Sequence, residues 1–562
     1  MAGLIQEQVA ALIAAGLEAA QESGTLPVFE MPEVVVERPR QSQHGDYASP
    51  VCLRLAKQAR MSPRDIAARV IEHLPPAAFI GETEVAGPGY INVALDASWL
   101  VSQVEVVLQA GGGFGNVESG NGRRYQVEFG SANPTGPLHV GFARNVVLGD
   151  TIANVLAAAG FEIEREYYVN DAGSQVRKFG ESVYARYAQA LGRDEPFPED
   201  GYQGDYVVEM GRQAAQRHGE RYLEMPREEA TRALGREGIA QVIDVAKQDL
   251  ADLGVVYDTW FHEKSLHESG LFDRMLEKLR GDGYITERDD AIWFTYPEED
   301  VDAVVVRSPQ VIPVPEERPT YLASDVAYVW NKLVERGFDK AIYVWGADHH
   351  GDVPRVKAAA KALGLDPERV VIILYQLVNL KRSGEDVRMS KRRGEFVTLR
   401  ELLDEVGPDP IRFMLLTATA DSTLEFDLTL AVEQSDKNPV YYVQYAHARI
   451  ASILRHAAEL GWDIKAPAEI SLLTHQSELA LIRKMLELPE VIAQAAEQLA
   501  PHYLTFYAKE LASVFHSFYR DCRVVDAEAS ELTRARLALV RAAKLVLARV
   551  LCLMGMGTPE RM

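Results

Sequence analysis

Cysteine is scarce in this sequence: three in 562 residues, Cys52, Cys522 and Cys552, far apart and never as a C-x-x-C pair. That pattern excludes the common paired-cysteine zinc signatures and predicts reduced, structural thiols. Also missing is any apolar run of membrane-spanning length. The N-terminal stretch MAGLIQEQVAALIAAGLEAAQESG has helical apolar spacing, but Gln6, Glu7, Gln8 and Glu18 interrupt it and no basic lead precedes it. It reads as an amphipathic core helix, not a secretion signal. Positive charge is in deficit: 59 Lys and Arg against 82 Asp and Glu give a net charge of −23. Such a chain does not coat nucleic acid non-specifically, although a local basic face suffices for phosphate contacts. Together these features predict a cytoplasmic protein without a membrane partner.

What is present suggests three or four domains. Residues 1–115 read as an α+β unit, with helices at about 3–22 and 62–74, strands at 34–39 and 89–95, and GGGFG (111–115) as a flexible linker. Residues 116–435 show the alternation of a doubly wound, parallel, Rossmann-like sheet. RRYQVEFG is a strand, RNVVLGDTIANVLAAAG a helix and FEIEREYYVN the next strand. KAIYVWG (340–346) and RVVIILYQLVNL (369–380) resume the pattern after a polar insertion at about 190–300. Residues 436–562 are apolar at i, i+3, i+4 spacing and sparse in proline, as in an all-α bundle.

Two loops carry the chemistry. The first lies in SANPTGPLHVGFARN, between the first strand and its helix. Pro134, Gly136 and Pro137 make a rigid turn, Gly141 allows close backbone approach, and the helix N-terminus offers free N–H groups to an anion. His139 can donate to a phosphate oxygen; the same residues also suit a capped turn with a buried histidine. The second loop, LKRSGEDVRMSKRRGEF, crowds Lys381, Arg382, Arg388, Lys391, Arg392 and Arg393 after a central strand. Such a loop can close on polyphosphate or stand as a solvated basic surface.

Together the loops resemble the two signature motifs of class I aminoacyl-tRNA synthetases, His-Ile-Gly-His and Lys-Met-Ser-Lys-Ser. Here they read His139-Val140-Gly141-Phe142 and Arg388-Met389-Ser390-Lys391-Arg392. The first motif extends over Ala132, Asn133, Pro134, Thr135, Gly136, Pro137, Leu138, His139, Val140, Gly141 and Phe142. YYVNDAGSQV, TYLASDVAYVWNK, WGADHHGDVPRVKAA, NPVYYVQYAHARI and the terminal PERM are similar to blocks of the arginyl-tRNA synthetase family, across nearly the whole chain.

The resemblance implies the class I synthetase fold: the sheet domain with its insertion, an N-terminal tRNA-contacting unit and a helical anticodon-binding domain. It implies arginine, ATP with Mg2+ as its counterion, and arginine tRNA as substrates, no structural metal, and a monomer. By the family pattern, Pro134, Gly136, His139, Gly141, Met389, Ser390 and Lys391 hold ATP, and His139, Arg388, Lys391 and Arg392 stabilise the reacting phosphates. Glu128, Ser131, Asn133, Tyr321, Asp325 and His349 hold arginine. A guanidinium calls for a carboxylate with fork geometry, and Tyr321 and Asp325 lie one helical turn apart. Asp325 as a helix cap and Glu128 as an ordinary strand carboxylate remain structural alternatives. Tyr441 and Tyr445 offer stacking faces and Arg449 a phosphate contact to tRNA, with Tyr442 and His447 nearby; bundle core is the alternative for these aromatics.

One departure stands out. Phe142 occupies the place of the motif's second histidine and donates nothing. Either the phosphate contact is re-routed, to Arg144 or a main-chain N–H, or the chain is a catalytically weak tRNA-binding paralogue.

Overall fold

The computed structural model describes residues 3–39, 41–311, 319–387 and 397–562. The second motif, Arg388, Met389, Ser390, Lys391 and Arg392, therefore lies outside the described residues.

The first unit packs helices Ile5–Glu22, Val51–Ala59, Pro63–Glu72 and Ala97–Ala110 on a small antiparallel sheet of β1 (Tyr47–Ser49), β2 (Ile80–Ala86) and β3 (Tyr90–Leu95), in the order β1-β3-β2. Local chemistry sets the helix starts: Ser62 accepts from the Asp65 N–H with Pro63 at the first position, and Asp96 accepts from the Trp99 N–H. The stretch 34–39, expected as a strand, makes only the bridge Glu37–Ala48. Its Arg38 reaches away to the C-terminal bundle, bonding Glu490 at 2.7 Å. The glycine run is exposed at Gly112 and Gly113 but ends in a packed joint. Phe114 is buried, and a Cβ at Gly115 (φ 92°) would come within 2.9 Å of Leu488 and Ile492.

The central sheet contains β4 (Arg124–Glu128), β5 (Glu162–Val169) and β6 (Thr259–His262). A side sheet of β7 (Ile285–Arg288), β8 (Ala291–Tyr296) and β9 (Val301–Val306) follows, and the chain returns through β10 (Lys340–Gly346) and β11 (Val370–Tyr375). The central order is β11-β10-β4-β5-β6, all parallel. Its direction of winding reverses between β4 and β10, which opens a crevice at their carboxyl ends. Both faces are covered, so Val127, Ile342 and Val344 are buried, and helix Val140–Ala158 is almost wholly enclosed.

The interval 190–300, expected as one insertion, divides. Helices Ser174–Ala190, Asp205–His218 and Arg227–Asp252 form the enlarged crossover from β5 to β6, and β6 is the sheet's edge strand. The side sheet β7–β9 follows it. The apolar run 369–380 also divides. After β11, the Gln376 N–H turns to the Ala420 carbonyl, and β12 (Val378–Arg382) joins β13 (Glu385–Asp386) and β14 (Leu424–Asp427) in a separate sheet. Periodicity cannot mark such a break, because both halves are apolar and extended.

Helices Pro439–Glu459, Gln476–Met485, Leu488–Glu497, His502–Asp521 and Ser530–Leu553 make the bundle. One continuous apolar core runs from the first unit through the central sheet into this bundle; a second lies beneath β7–β9 and helix Tyr321–Trp330. Among the described residues no helix is long and apolar enough to cross a membrane.

Candidate active site

The first motif caps helix Val140–Ala158. His139 is the N-cap residue, in extended conformation. Buried Leu138 and Val140 flank it and anchor the loop. A Cβ on Gly141 would lie 3.0 Å from the His139 ring, so glycine lets the imidazole rest over the first turn. Phe142 meets that ring edge-on, with centroids 5.5 Å apart at 87°, and its other side packs on the core. Tyr206, from the crossover helices, donates to the Thr135 carbonyl at 2.6 Å and holds the turn.

The flank of the second motif meets the first motif directly. The Val140 N–H donates to the Val397 carbonyl at 2.9 Å, and the Leu399 N–H to the Leu138 carbonyl at 2.8 Å. Thr398 then caps helix Leu399–Val406 with a reciprocal Glu401 contact. On the other side, the Val387 N–H bonds the Leu380 carbonyl at 2.9 Å. Two basic residues of the expected loop are committed elsewhere: Lys381 pairs with Glu425 at 2.6 Å, and Arg382 with Glu405 at 2.6 and 2.9 Å.

Arg144 is no substitute for the missing histidine. It has no solvent exposure and donates to the carbonyls of Gln376 (2.8 Å), Ser422 (2.7 Å) and Thr419 (2.8 Å). It fastens the helix to the turns after β11 and before β14.

At the end of β4, buried Glu128 receives the buried Lys332 ammonium on Oε2 at 2.5 Å and the Ser131 hydroxyl on Oε1 at 3.3 Å. Ser131 Oγ accepts in turn from the Tyr168 N–H at 3.1 Å. Asn133 is exposed, and its carbonyl accepts from the Thr135 N–H at 2.8 Å. Asn145 ties β4 to β10 under the crevice: Oδ1 accepts from the Gly130 N–H at 2.6 Å, and Nδ2 donates to the Val344 carbonyl at 2.8 Å.

Thr320 caps helix Tyr321–Trp330, which puts Tyr321 and Asp325 on one face. Asp325 lies one turn inside the helix and does not cap it. Burial, then the Glu128, Glu263 and Asp352 carboxylates, pushes the Asp325 carboxyl well above its ordinary range; Lys332 opposes them. Glu263, at the end of β6, is raised by burial and faces Ser324 and Tyr168. Burial raises Glu128 too, against the Lys332 charge. Asn170, Ser174, Glu263, Arg307, Tyr321 and Ser324 line a cavity of about 80 Å³ beside this cluster. His349 follows β10, half-exposed, with Nδ1 3.4 Å from Asp352. Among the described residues the crevice sets the buried Glu128 and Glu263 and the partly buried Asp325 against the buried Lys332 and the partly buried Arg307.

Lys332, Glu263, Asn145 and Asp352 were not among the expected site residues. A signal existed for two of them. Lys332 follows Asp325 by two turns in an otherwise apolar helix, and Glu263 ends a strand of the parallel sheet.

On the bundle, Tyr441 and Tyr445 stack at 5.9 Å and 17°. The Arg449 guanidinium lies 5.1 Å over Tyr445 and 5.4 Å over Tyr519, and bonds the Tyr445 hydroxyl. Tyr442 packs toward His516 at 5.1 Å. His447 is core: it is buried and donates from Nδ1 to the Pro559 carbonyl at 2.9 Å, pinning the C-terminal segment.

The three units match known families in chain order. Residues 7–95 match the arginyl tRNA synthetase N terminal domain, residues 103–200 and 205–414 the catalytic domain of class I (R) tRNA synthetases, and residues 443–562 the DALR anticodon binding domain. A Dehalococcoides mccartyi (strain CBDB1) protein described as arginine–tRNA ligase is 46% identical over 548 residues, 97% of each chain. One from Moorella thermoacetica, with the same description, is 47% identical over 568 residues and the whole of both chains. The structure of the Thermus thermophilus arginyl-tRNA synthetase shares the fold, at TM-score 0.75 and 24% identity, with complete coverage of both chains. The chain belongs to the arginyl-tRNA synthetase family of class I synthetases.

Proposed function

We infer that the chain is an arginine–tRNA ligase, which activates arginine with ATP and transfers it to the 3′ end of its tRNA. The observation that carries the substrate is the charge imbalance in the crevice. Beside the buried Glu128–Lys332 pair, Asp325 and Glu263 add two further carboxyl groups that burial and neighbouring carboxylates hold above their ordinary range. A guanidinium supplies the missing positive charge and a planar fork of donors. An ammonium side chain supplies charge without the fork and leaves acceptors unpaired, so lysine is rejected.

In this reading Asp325, Glu263 and Tyr321 read the guanidinium, and Glu128 with Ser131 and Asn133 receives the α-ammonium group. His349 lines the rim. The arginine carboxylate attacks the α-phosphate of ATP, pyrophosphate leaves, and the terminal ribose hydroxyl of tRNA then takes the arginyl group from the adenylate. No covalent enzyme intermediate is needed; positioning and charge stabilisation do the work. With Arg144 committed, and the Val140 and Phe142 N–H groups bonded to the Val397 and His139 carbonyls, the phosphates fall to His139, the Gly141 N–H, and Lys391 with Arg388 and Arg392. Pro134 and Gly136 shape the turn, Met389 and Ser390 complete the second loop, and magnesium accompanies ATP. The Tyr441, Tyr445 and Arg449 surface stacks on unpaired tRNA bases. A cytoplasmic location is the reading that the cysteine usage and the N-terminal stretch support, and a monomeric state is what the family resemblance implies.

ATP–pyrophosphate exchange and tRNA charging test this reading. Arginine, ATP and total tRNA should yield charged tRNA, and lysine should not replace arginine. Binding of tRNA without arginine-dependent charging would overturn it.

A further inference from the structure

The ion pair at the end of β4 carries a second conclusion, which rests on reading Glu128 as the acceptor of the α-ammonium group. We infer that Lys332 is a positioning residue, which fixes the Glu128 carboxylate so that Oε1 faces the substrate. It thereby sets the affinity for arginine and leaves the phosphate chemistry alone.

The geometry gives Lys332 few alternatives. Its side chain has no solvent exposure, and Nζ sits 3.8 Å from the Tyr328 ring centroid and 3.7 Å from that of Tyr343. Two aromatic faces thus hold the ammonium on opposing elements, and its hydrogen bond goes to Glu128 Oε2 at 2.5 Å. The other oxygen, Oε1, is left on the side of exposed Ser131. A π-turn at Asn331–Glu335 continues helix Tyr321–Trp330 and carries Lys332 and Arg336 onto the sheet. Such widened turns interrupt otherwise regular helices and recur at functional sites.

The neighbouring charges do not perform this task. Glu166 of β5 is already held by Gln126 (3.0 Å), by Arg336 (2.5 Å) and by the Tyr328 hydroxyl. Arg336 serves Glu166 and Glu164. Asp325 on the helix, Tyr168 of β5 and Tyr343 of β10 also face Glu128, and none brings positive charge. Without Lys332, burial and these neighbours favour the protonated Glu128 carboxyl, which attracts an ammonium poorly.

The full chain with tRNA, assayed by ATP–pyrophosphate exchange, tests this in Lys332→Met, Glu128→Gln and the double variant. Lys332→Met should raise the arginine KM about tenfold or more while the ATP KM stays within about twofold. Its arginine KM should fall more steeply than the parent's as pH rises above the ordinary carboxylate range, as Glu128 regains its charge. The double variant should match Glu128→Gln alone and lose the added pH dependence. Equal rises in both KM values, or an unaltered pH profile, would overturn the role. If Lys332→Met does not accumulate as folded protein, the double variant decides: a match to Glu128→Gln supports the role, and a further rise in arginine KM contradicts it. An unchanged arginine KM in Glu128→Gln would instead remove the reading of Glu128 itself.

Discussion

Among the described residues three cations, Arg144, Lys332 and Arg412, are wholly withdrawn from solvent; Lys332 and Arg412 both pair with a carboxylate, yet their surroundings differ in kind. Arg412 is closed on every side. It pairs with Asp150 of helix Val140–Ala158 and donates to the Met554 carbonyl and, at 3.2 Å, to that of Leu253. Arg165 stands 3.6 Å from the same Asp150, and Asn154 of that helix donates to the Leu553 carbonyl at 3.2 Å. Asp258, 3.9 Å from Arg165, completes the charge balance there, and the result bolts the motif-bearing helix to the C-terminal segment. Around Lys332 no such balance is reached. Asp325 and Glu263 add two carboxyl groups whose ionisation burial and neighbouring carboxylates oppose, and among the described residues the buried Tyr343 hydroxyl has no hydrogen-bond partner. A buried polar network that closes on itself is scaffold; one left open by a cation is a site.

The sharpest way to break this comparison is Asp325→Asn. Arginine-dependent exchange should fall about a thousandfold or more, because the fork loses its charge and half its acceptors. Thermal stability should hold or rise. The folded-state pKa of Asp325 is raised, so the native state binds its proton more tightly than the unfolded chain does, and stability falls with pH above the ordinary carboxylate range. The amide removes that loss, so its relative gain should grow with pH; melting temperatures at two pH values check the sign.

Arg412→Met should do the reverse. It strands Asp150 beneath the bundle and should cost about 3–5 kcal/mol of stability, measured by denaturant unfolding. The arginine KM of the folded fraction should stay near the parent's. A variant that kept its stability but lost arginine affinity would erase the distinction between the two centres.

Phe142→His should have the smallest effect. Removing a donor from a site built around it costs about a hundred- to a thousandfold. Here the ring packs on His139 and the core, so adding the imidazole should change the exchange rate by less than about tenfold. A larger gain would mean that the phosphate cradle is a donor short.

The strands of the central sheet were legible because a strand buried on both faces is an apolar run with clear punctuation, as KAIYVWG shows. Edge strand β6 was not, since its four residues are only half-buried and lie among helices. The glycine joint misled because flexibility in sequence does not reveal what packs against it. At the site, Glu128, Tyr321 and Asp325 are carboxylates and a phenol of recognisable family blocks, and the fold sets them around one crevice. Lys332 was passed over because a lysine in a helix ordinarily reads as a solvated face. Arg144 was one of two alternatives for the missing phosphate donor, with a main-chain N–H, and only its three carbonyl partners reveal a clasp. Cationic residues are where sequence reading is weakest, because nothing local states whether their partner is a ligand, a backbone or water.

Isothermal titration of arginine into the protein at several pH values, in buffers of different ionisation heat, tests the open charge balance most directly. Guanidinium binding favours the ionised Asp325 carboxyl, so its raised pKa must fall on binding. Binding should release up to about one proton per arginine and tighten as pH rises towards the free-state pKa, then level off. Citrulline, the neutral isostere, should bind far more weakly and release none. Equal affinity for citrulline, or arginine binding without proton release at any pH, would contradict a pocket completed by positive charge.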